Sequence, residues 1–170
     1  MPFSLASATL PVLGQILSGL DTVLTKAEAH AARRKIAADT LLYARLFPDM
    51  FHFTRQVQTT CDFALKIVAR LSGAPLEKLE LAEKSFEDLR ALVARTRAAV
   101  AAADARLIDA AVDKDVTFPI GERSLTMPAQ DYALRFAMPN FYFHATMAYA
   151  ILRENGVELG KPDYMGQMTG

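Results

Sequence analysis

The chain has 170 residues, of which 52% are hydrophobic and 22% charged. That is the composition of a one-domain globular protein, long enough to bury roughly 70% of the surface an unfolded chain exposes. Nineteen Lys and Arg balance nineteen Asp and Glu, which excludes the broad basic field that grips nucleic acid or an anionic membrane.

A single cysteine, Cys61, excludes an intramolecular disulfide and any Cys-based metal site. The opening Met1-Pro2-Phe3-Ser4-Leu5-Ala6 has neither the basic region nor the apolar run of a signal peptide. No stretch reaches the ~18 consecutive apolar residues of a bilayer span. A cytoplasmic protein is therefore expected.

In chain order, the first helix is predicted from about Ser7 to Arg34, because Leu10, Leu13, Leu17, Leu20 and Leu24 recur at spacings of three and four. Pro11 falls early in this segment, where proline is tolerated. The cations Arg33, Arg34 and Lys35 suit a helix C-terminus. Asp39 reads as the N-cap of a short helix through Leu41, Leu42 and Ala44, and Asp49 as the N-cap of a second long helix. The stripe of that second helix is Met50, Phe53, Val57, Cys61, Ala64, Val68 and Leu71, and Gly73 and Pro75 stop it. A third long helix opens at Ser85-Phe86-Glu87-Asp88, a capping box with Asp in place of Glu. It presents Phe86, Leu89, Leu92 or Val93, Thr96 and Val100 on one face.

The only β-like stretch follows. Asp115–Ile120 and Arg123–Met127 flank Gly121-Glu122 and read as a two-stranded hairpin, since Pro119 rules out a central strand. The last long helix begins near Pro128, carries Tyr132, Phe136, Phe143, Met147 and Ile151 inward, and ends at Asn155-Gly156. Pro139 lies inside it and should kink it. The tail from Gly160 to Gly166 shows no periodicity. The expected fold is all-α: an antiparallel four-helix bundle with a small β-hairpin before the last helix, in a single domain over residues 1–170.

Chemistry has few candidates. There is no Gly-x-Ser-x-Gly, no phosphate-binding Gly-rich loop and no Glu-x-x-His of a di-iron bundle. Cys61 reads as a small core hydrophobe. Of the three histidines, His30 in its Ala-rich stretch reads as a solvated or dipole-facing residue near a helix end. His144 has Asn140 four residues before it, one turn away on the same face. That face includes Phe136, so both polar groups are expected to point toward the bundle interior. His52 lies beside the apolar face of the second helix, with Gln56 one turn on. His144 as a neutral imidazole held by Asn140 or by a tyrosine hydroxyl is one reading. An interhelical ligand pocket around Asn140 and His144 is another.

Several stretches carry a resemblance: Lys26–Ala31, Pro48–Phe51, Arg55–Gln58 with Cys61-Asp62, and Gln130–Tyr132. The longest are Pro139–His144, Ala148–Arg153 and Asn155–Val157, with Gly160-Lys161 and Asp163-Tyr164 closing the chain. Together they resemble the DUF1993 family, similar in turn to the DinB/YfiT-like four-helix bundles. Many of that wider group hold a divalent metal between helices, and some are metal-dependent transferases or hydrolases. The resemblance implies His52 as a first metal ligand and His144 as the second member of a His-x-x-x-His pair. Asn140 stands where that pair has its first His, and an amide oxygen is a much weaker transition-metal ligand than imidazole.

Two functions follow as expectations. One is a ligand-binding bundle using His144, Asn140, His52 and Gln56, with no cofactor. The other is a DinB-like divalent-metal-dependent transferase or hydrolase with a degenerate ligand set, His52 and His144. The aromatic series Phe136, Phe141, Tyr142, Phe143 and Tyr149 wraps more than one face, and with the family resemblance it suggests a homodimer.

Overall fold

The computed structural model describes residues 4–166. Four long helices make the body: α1 (Leu5–Arg34), α3 (Phe53–Ser72), α4 (Phe86–Ala101) and α7 (Met138–Glu154). Between them lie short elements: α2 (Ala38–Leu42), α5 (Ala105–Asp109), the strands β1 (Asp115–Ile120) and β2 (Arg123–Pro128), and a turn α6 (Ala129–Asp131). A π-helical segment, Tyr132–Ala137, runs directly into α7, and α8 (Lys161–Met165) closes the chain.

The helices form a ring in which α1 packs on α4 and α7, and α3 packs on α4 and α7. Side-chain pairs fix their directions. Glu87 and Arg90 at the start of α4 lie beside Asp21 and Glu28 of α1, while Ala98 and Ala101 at its end lie beside Leu10 and Gly14. Gln56, Phe63 and Arg70 of α3 meet His144, Phe136 and Tyr132 in turn, so these two pairs run antiparallel. In contrast, the first residues of α3 and α4, Phe53 and Phe86, pack with their ring centres 6.3 Å apart, so those helices run the same way. The segment from Gly73 to Ser85 makes this possible by returning along the length of the bundle. A helix of 20 residues is about 30 Å long, within reach of a dozen extended residues at roughly 3.3 Å each.

The core is what the heptad-like stripes forecast: Leu13, Leu17, Leu20 and Leu24 of α1, Phe53, Val57, Cys61, Ala64 and Leu71 of α3, and all of Phe86, Leu89, Leu92, Val93, Thr96 and Val100 of α4 are buried. Gly73 ends α3 in the left-handed region and Gly156 follows α7 in the same conformation. The hairpin pairs Asp115 with Pro128 through Ile120 with Arg123. It plugs one end of the bundle, with the Phe118 ring 4.9 Å from Tyr132 and 4.6 Å from Phe136.

The helix starts and the last stripe depart from expectation. Ser4, not a residue near Ser7, caps α1, with Ser4 and Ser7 exchanging side-chain bonds to each other's backbone. Asp39 lies inside the first turn of α2, whose cap is Ala37. Asp49 does not cap α3. Pro48-Asp49 instead forms a turn closed by Met50 N–H donating to Phe47 C=O at 3.0 Å, as a proline at the second turn position favours. The cap of α3 is His52, whose Nδ1 accepts from Arg55 N–H, and Met50 stands outside the helix.

Pro139 falls in the first turn of α7, directly after the π-helical segment. It has no N–H for the turn behind it, and the chain answers by widening into the π segment just before α7. Asn140 adds a donor there, its Nδ2 giving a 2.8 Å bond to Phe136 C=O. A π turn holds one extra residue, which rotates everything after it by about 100° relative to a continuous α-helix. The inward face therefore runs Tyr132, Ala137, Phe141, Ala145, Ala148 and Leu152. Phe143, expected inside, is 50% exposed, and Met147 is half-buried. The tail is also more ordered than its sequence suggests: α8 lies against α1 where Gly19 leaves no room for a Cβ beside the Tyr164 carbonyl. Gln15 Nε2 donates to Met165 C=O at 2.9 Å.

Candidate functional site

The rotated α7 puts His144 at the seam with α3, half-buried. Its Nδ1 lies 2.7 Å from Oε1 of Gln56, a side chain only 1% exposed. The other end of that amide, Nε2, donates to Phe51 C=O at 3.3 Å, which fixes the oxygen toward the imidazole. An amide oxygen only accepts, so His144 Nδ1 carries the hydrogen and Nε2 the lone pair. Nε2 bonds to no described residue. The one buried side-chain nitrogen or oxygen without a partner among the described residues is His30 Nδ1, so His144 Nε2 meets solvent.

Aromatic rings frame this acceptor. Phe51 and Phe63 lie nearly parallel to the imidazole, with ring centres at 6.1 and 5.9 Å and interplanar angles of 20° and 16°. Phe143 meets its edge at 5.2 Å. Burial, first, and the Arg55 guanidinium, second, push the His144 pKa down to about 4. Both disfavour the imidazolium, so at neutral pH the ring is neutral and its Nε2 is an unprotonated acceptor. Arg55 itself lies over the Phe51 ring, 5.4 Å from its centre.

The remaining predicted site residues are placed differently. Asn140 does not hold His144; its amide nitrogen is committed to Phe136 C=O. His52 is the α3 cap, with Tyr43 edge-on at 5.2 Å, and burial, Arg45 and Arg55 lower its pKa. It lines a groove with Tyr43, Gln58 and Glu83, while His144 faces Phe51 and Phe63. Cys61 is fully buried in the core, where the apolar surroundings push its thiol up to about 12. His30, expected in solvent or facing the helix dipole, is only 5% exposed. Sequence reasoning found Gln56 by its spacing from His52 but missed Phe51, Phe63 and Arg55 as the surroundings of His144. Their roles depend on a contact between positions 88 apart in the chain.

The family model for a domain of unknown function, DUF1993, matches residues 5–165. The chain belongs to the DUF1993 family. A crystal structure of a DinB family member protein from Shewanella denitrificans is similar at 37% sequence identity and a TM-score of 0.86, covering 96% of this chain and 93% of that one. No curated protein matches.

In this DUF1993 bundle the donors at the positions implied for a divalent metal, His52, Asn140 and His144, fit a transition metal poorly. A catalytic zinc takes three strong protein donors, and the three positions supply two imidazoles with an amide turned onto a backbone carbonyl. Among the described residues no group of three or more His, Cys, Asp or Glu is placed to hold a metal ion. No described helix is long and apolar enough to cross a membrane.

Proposed function

We propose that this DUF1993 protein is a small-molecule-binding bundle whose site is centred on His144. The observation that carries the reading is the buried Gln56 amide, which holds the imidazole as the Nδ1–H tautomer and leaves Nε2 as a bare acceptor on a ring flanked by Phe51, Phe63 and Phe143. Such a group recognises a ligand with one N–H or O–H donor on a flat apolar body, the donor to Nε2 and the body against Phe51, Phe63 and Phe143. Few placed polar groups in an aromatic surround is the usual make-up of a small-molecule site. Asn140 shapes the site as a positioning residue, by stabilising the π-to-α junction that sets the direction of His144. His52 and Gln58 line the neighbouring groove and would meet a longer ligand.

Titration with phenol and with toluene, followed through the backbone amide resonances of Phe51, Phe63 and Phe143, tests this. Saturable shifts with phenol, weaker ones with toluene, and loss of the difference in His144→Phe are expected. Equal responses to both, or a phenol response unchanged in His144→Phe, would contradict the reading. Saturable broadening by Zn²⁺ in preference to phenol would favour the metal-dependent alternative instead.

The same chain is proposed to pair as a homodimer. Support comes from large apolar side chains on the surface, among them Phe47, Phe51, Leu134, Tyr142 and Phe143, which a second copy would cover. A stable contact requires about 800 Å² per partner.

A further inference from the structure

A different concavity lies where α1 ends. Lys26, Ala29, His30 and Arg33 of α1 line it, with Glu158 from the strap after α7, around a volume of about 170 Å³. Lys26, His30 and Arg33 are spaced four and three apart, which puts all three on one helix face. The volume is ample for a small ion, given that a water occupies about 30 Å³.

His30 is the unusual member. It is 5% exposed, and neither ring nitrogen bonds to a described residue. Nδ1 is dry and unpartnered, so Nε2 is the nitrogen that reaches the cavity. An orphaned N–H is rarer and costlier than an orphaned lone pair. The lone pair therefore sits on Nδ1, and Nε2–H points a donor into the cavity. Beside it stand the Arg33 guanidinium and the Lys26 ammonium, and α1 ends at Arg34 with Lys35 as its cap.

Two carboxylates face these cations, and they are held unequally. Asp163 sits 2.7 Å from Lys26 Nζ with its side chain 17% exposed. Glu158 is 3.8 Å from Arg33, and both side chains are mostly in solvent, a pairing worth little. Glu158 thus displays the chemistry this corner accepts while being free to leave it.

We propose that this cavity binds a small oxyanion, the carboxylate or phosphate group of a ligand, which takes the His30 Nε2–H and the guanidinium fork of Arg33 and displaces Glu158 outward. An Arg fork matches two oxygens of either group. The site is independent of the one around His144.

The test follows the His30 ring ¹H–¹³C resonances while sodium phosphate, sodium acetate or sodium chloride is added at constant ionic strength. Saturable shifts are expected with phosphate or acetate and not with chloride, and the stronger of the two identifies the source of the oxygens. Glu158→Gln, which removes the internal competitor, should tighten binding by about threefold, and Arg33→Ala should weaken it by about tenfold. Both replacements are at exposed side chains, so the fold survives them. Shifts that chloride reproduces, or affinities that neither substitution moves, would overturn the proposal.

Discussion

Replacing Phe141 and Phe143 separately by Ala tests the rotation of α7 that positions His144. Phe141 is 0% exposed, against the bundle core, and truncating such a side chain costs about 3–5 kcal/mol through lost burial and the cavity left behind. Phe143 keeps half its surface in solvent. Full burial of a Phe contributes about 1.5–3 kcal/mol, so half of it, without a closed cavity, gives about 1 kcal/mol for Phe143→Ala. In a domain of this size each kcal/mol moves Tm by about 2–4 °C. Phe141→Ala should therefore melt on the order of 10 °C lower and Phe143→Ala about 3 °C lower. Urea unfolding with unchanged m-values is the matching check. Equal losses, or a larger loss for Phe143→Ala, would refute the extra π residue and return His144 to the bundle interior.

Other consequences are as specific. His144 stays neutral in the fold until about pH 4, whereas the unfolded chain takes up its proton near pH 6.5. Its contribution to stability is thus complete above pH 6.5 and is lost as pH falls from there toward 4; His144→Phe should flatten that part of a stability–pH curve, and an unchanged curve would disprove the shift. Gly19→Ala would drive a methyl into the Tyr164 carbonyl, costing about 1–3 kcal/mol and loosening α8, read as faster amide exchange across 161–166; unchanged protection would refute that close packing. Cys61 should resist a thiol reagent in the native protein and react at the rate of unfolding, because only the thiolate attacks and this thiol is buried with a pKa of about 12. Sedimentation should show a dimer at micromolar concentration, and a monomer there would end the pairing proposal.

The bundle was legible in the sequence because its signals are local. Leucine spacing marked α1, Gly73 and Asn155-Gly156 marked helix ends, and Gly121-Glu122 between two short β-like runs marked the hairpin. The errors share one cause, competition from tertiary structure. Pro48-Asp49 has the residues of a helix start, yet the diagonal crossing from α1 to α3 needs a turn there, and His52 caps α3 three residues later. Pro139 announces a disturbance, but whether a helix bends or gains a π residue depends on what packs behind it. Here Phe118 of the hairpin fills that space against Tyr132 and Phe136. That one residue moved Phe143 outward and turned His144 from the expected Asn140 to Gln56. His30 was misjudged for the same reason: its neighbours in sequence are small or charged, while Glu158, which lines the same cavity, comes from far along the chain.

Ligand recognition at this site depends on which ring nitrogen of His144 carries the hydrogen, and the ¹⁵N chemical shifts of its imidazole at pH 7 report that. A protonated Nδ1 and a bare Nε2 are predicted, with Gln56→Leu abolishing that preference. A hydrogen on Nε2, or an imidazolium at pH 7, would contradict the account, because no acceptor would then face a ligand.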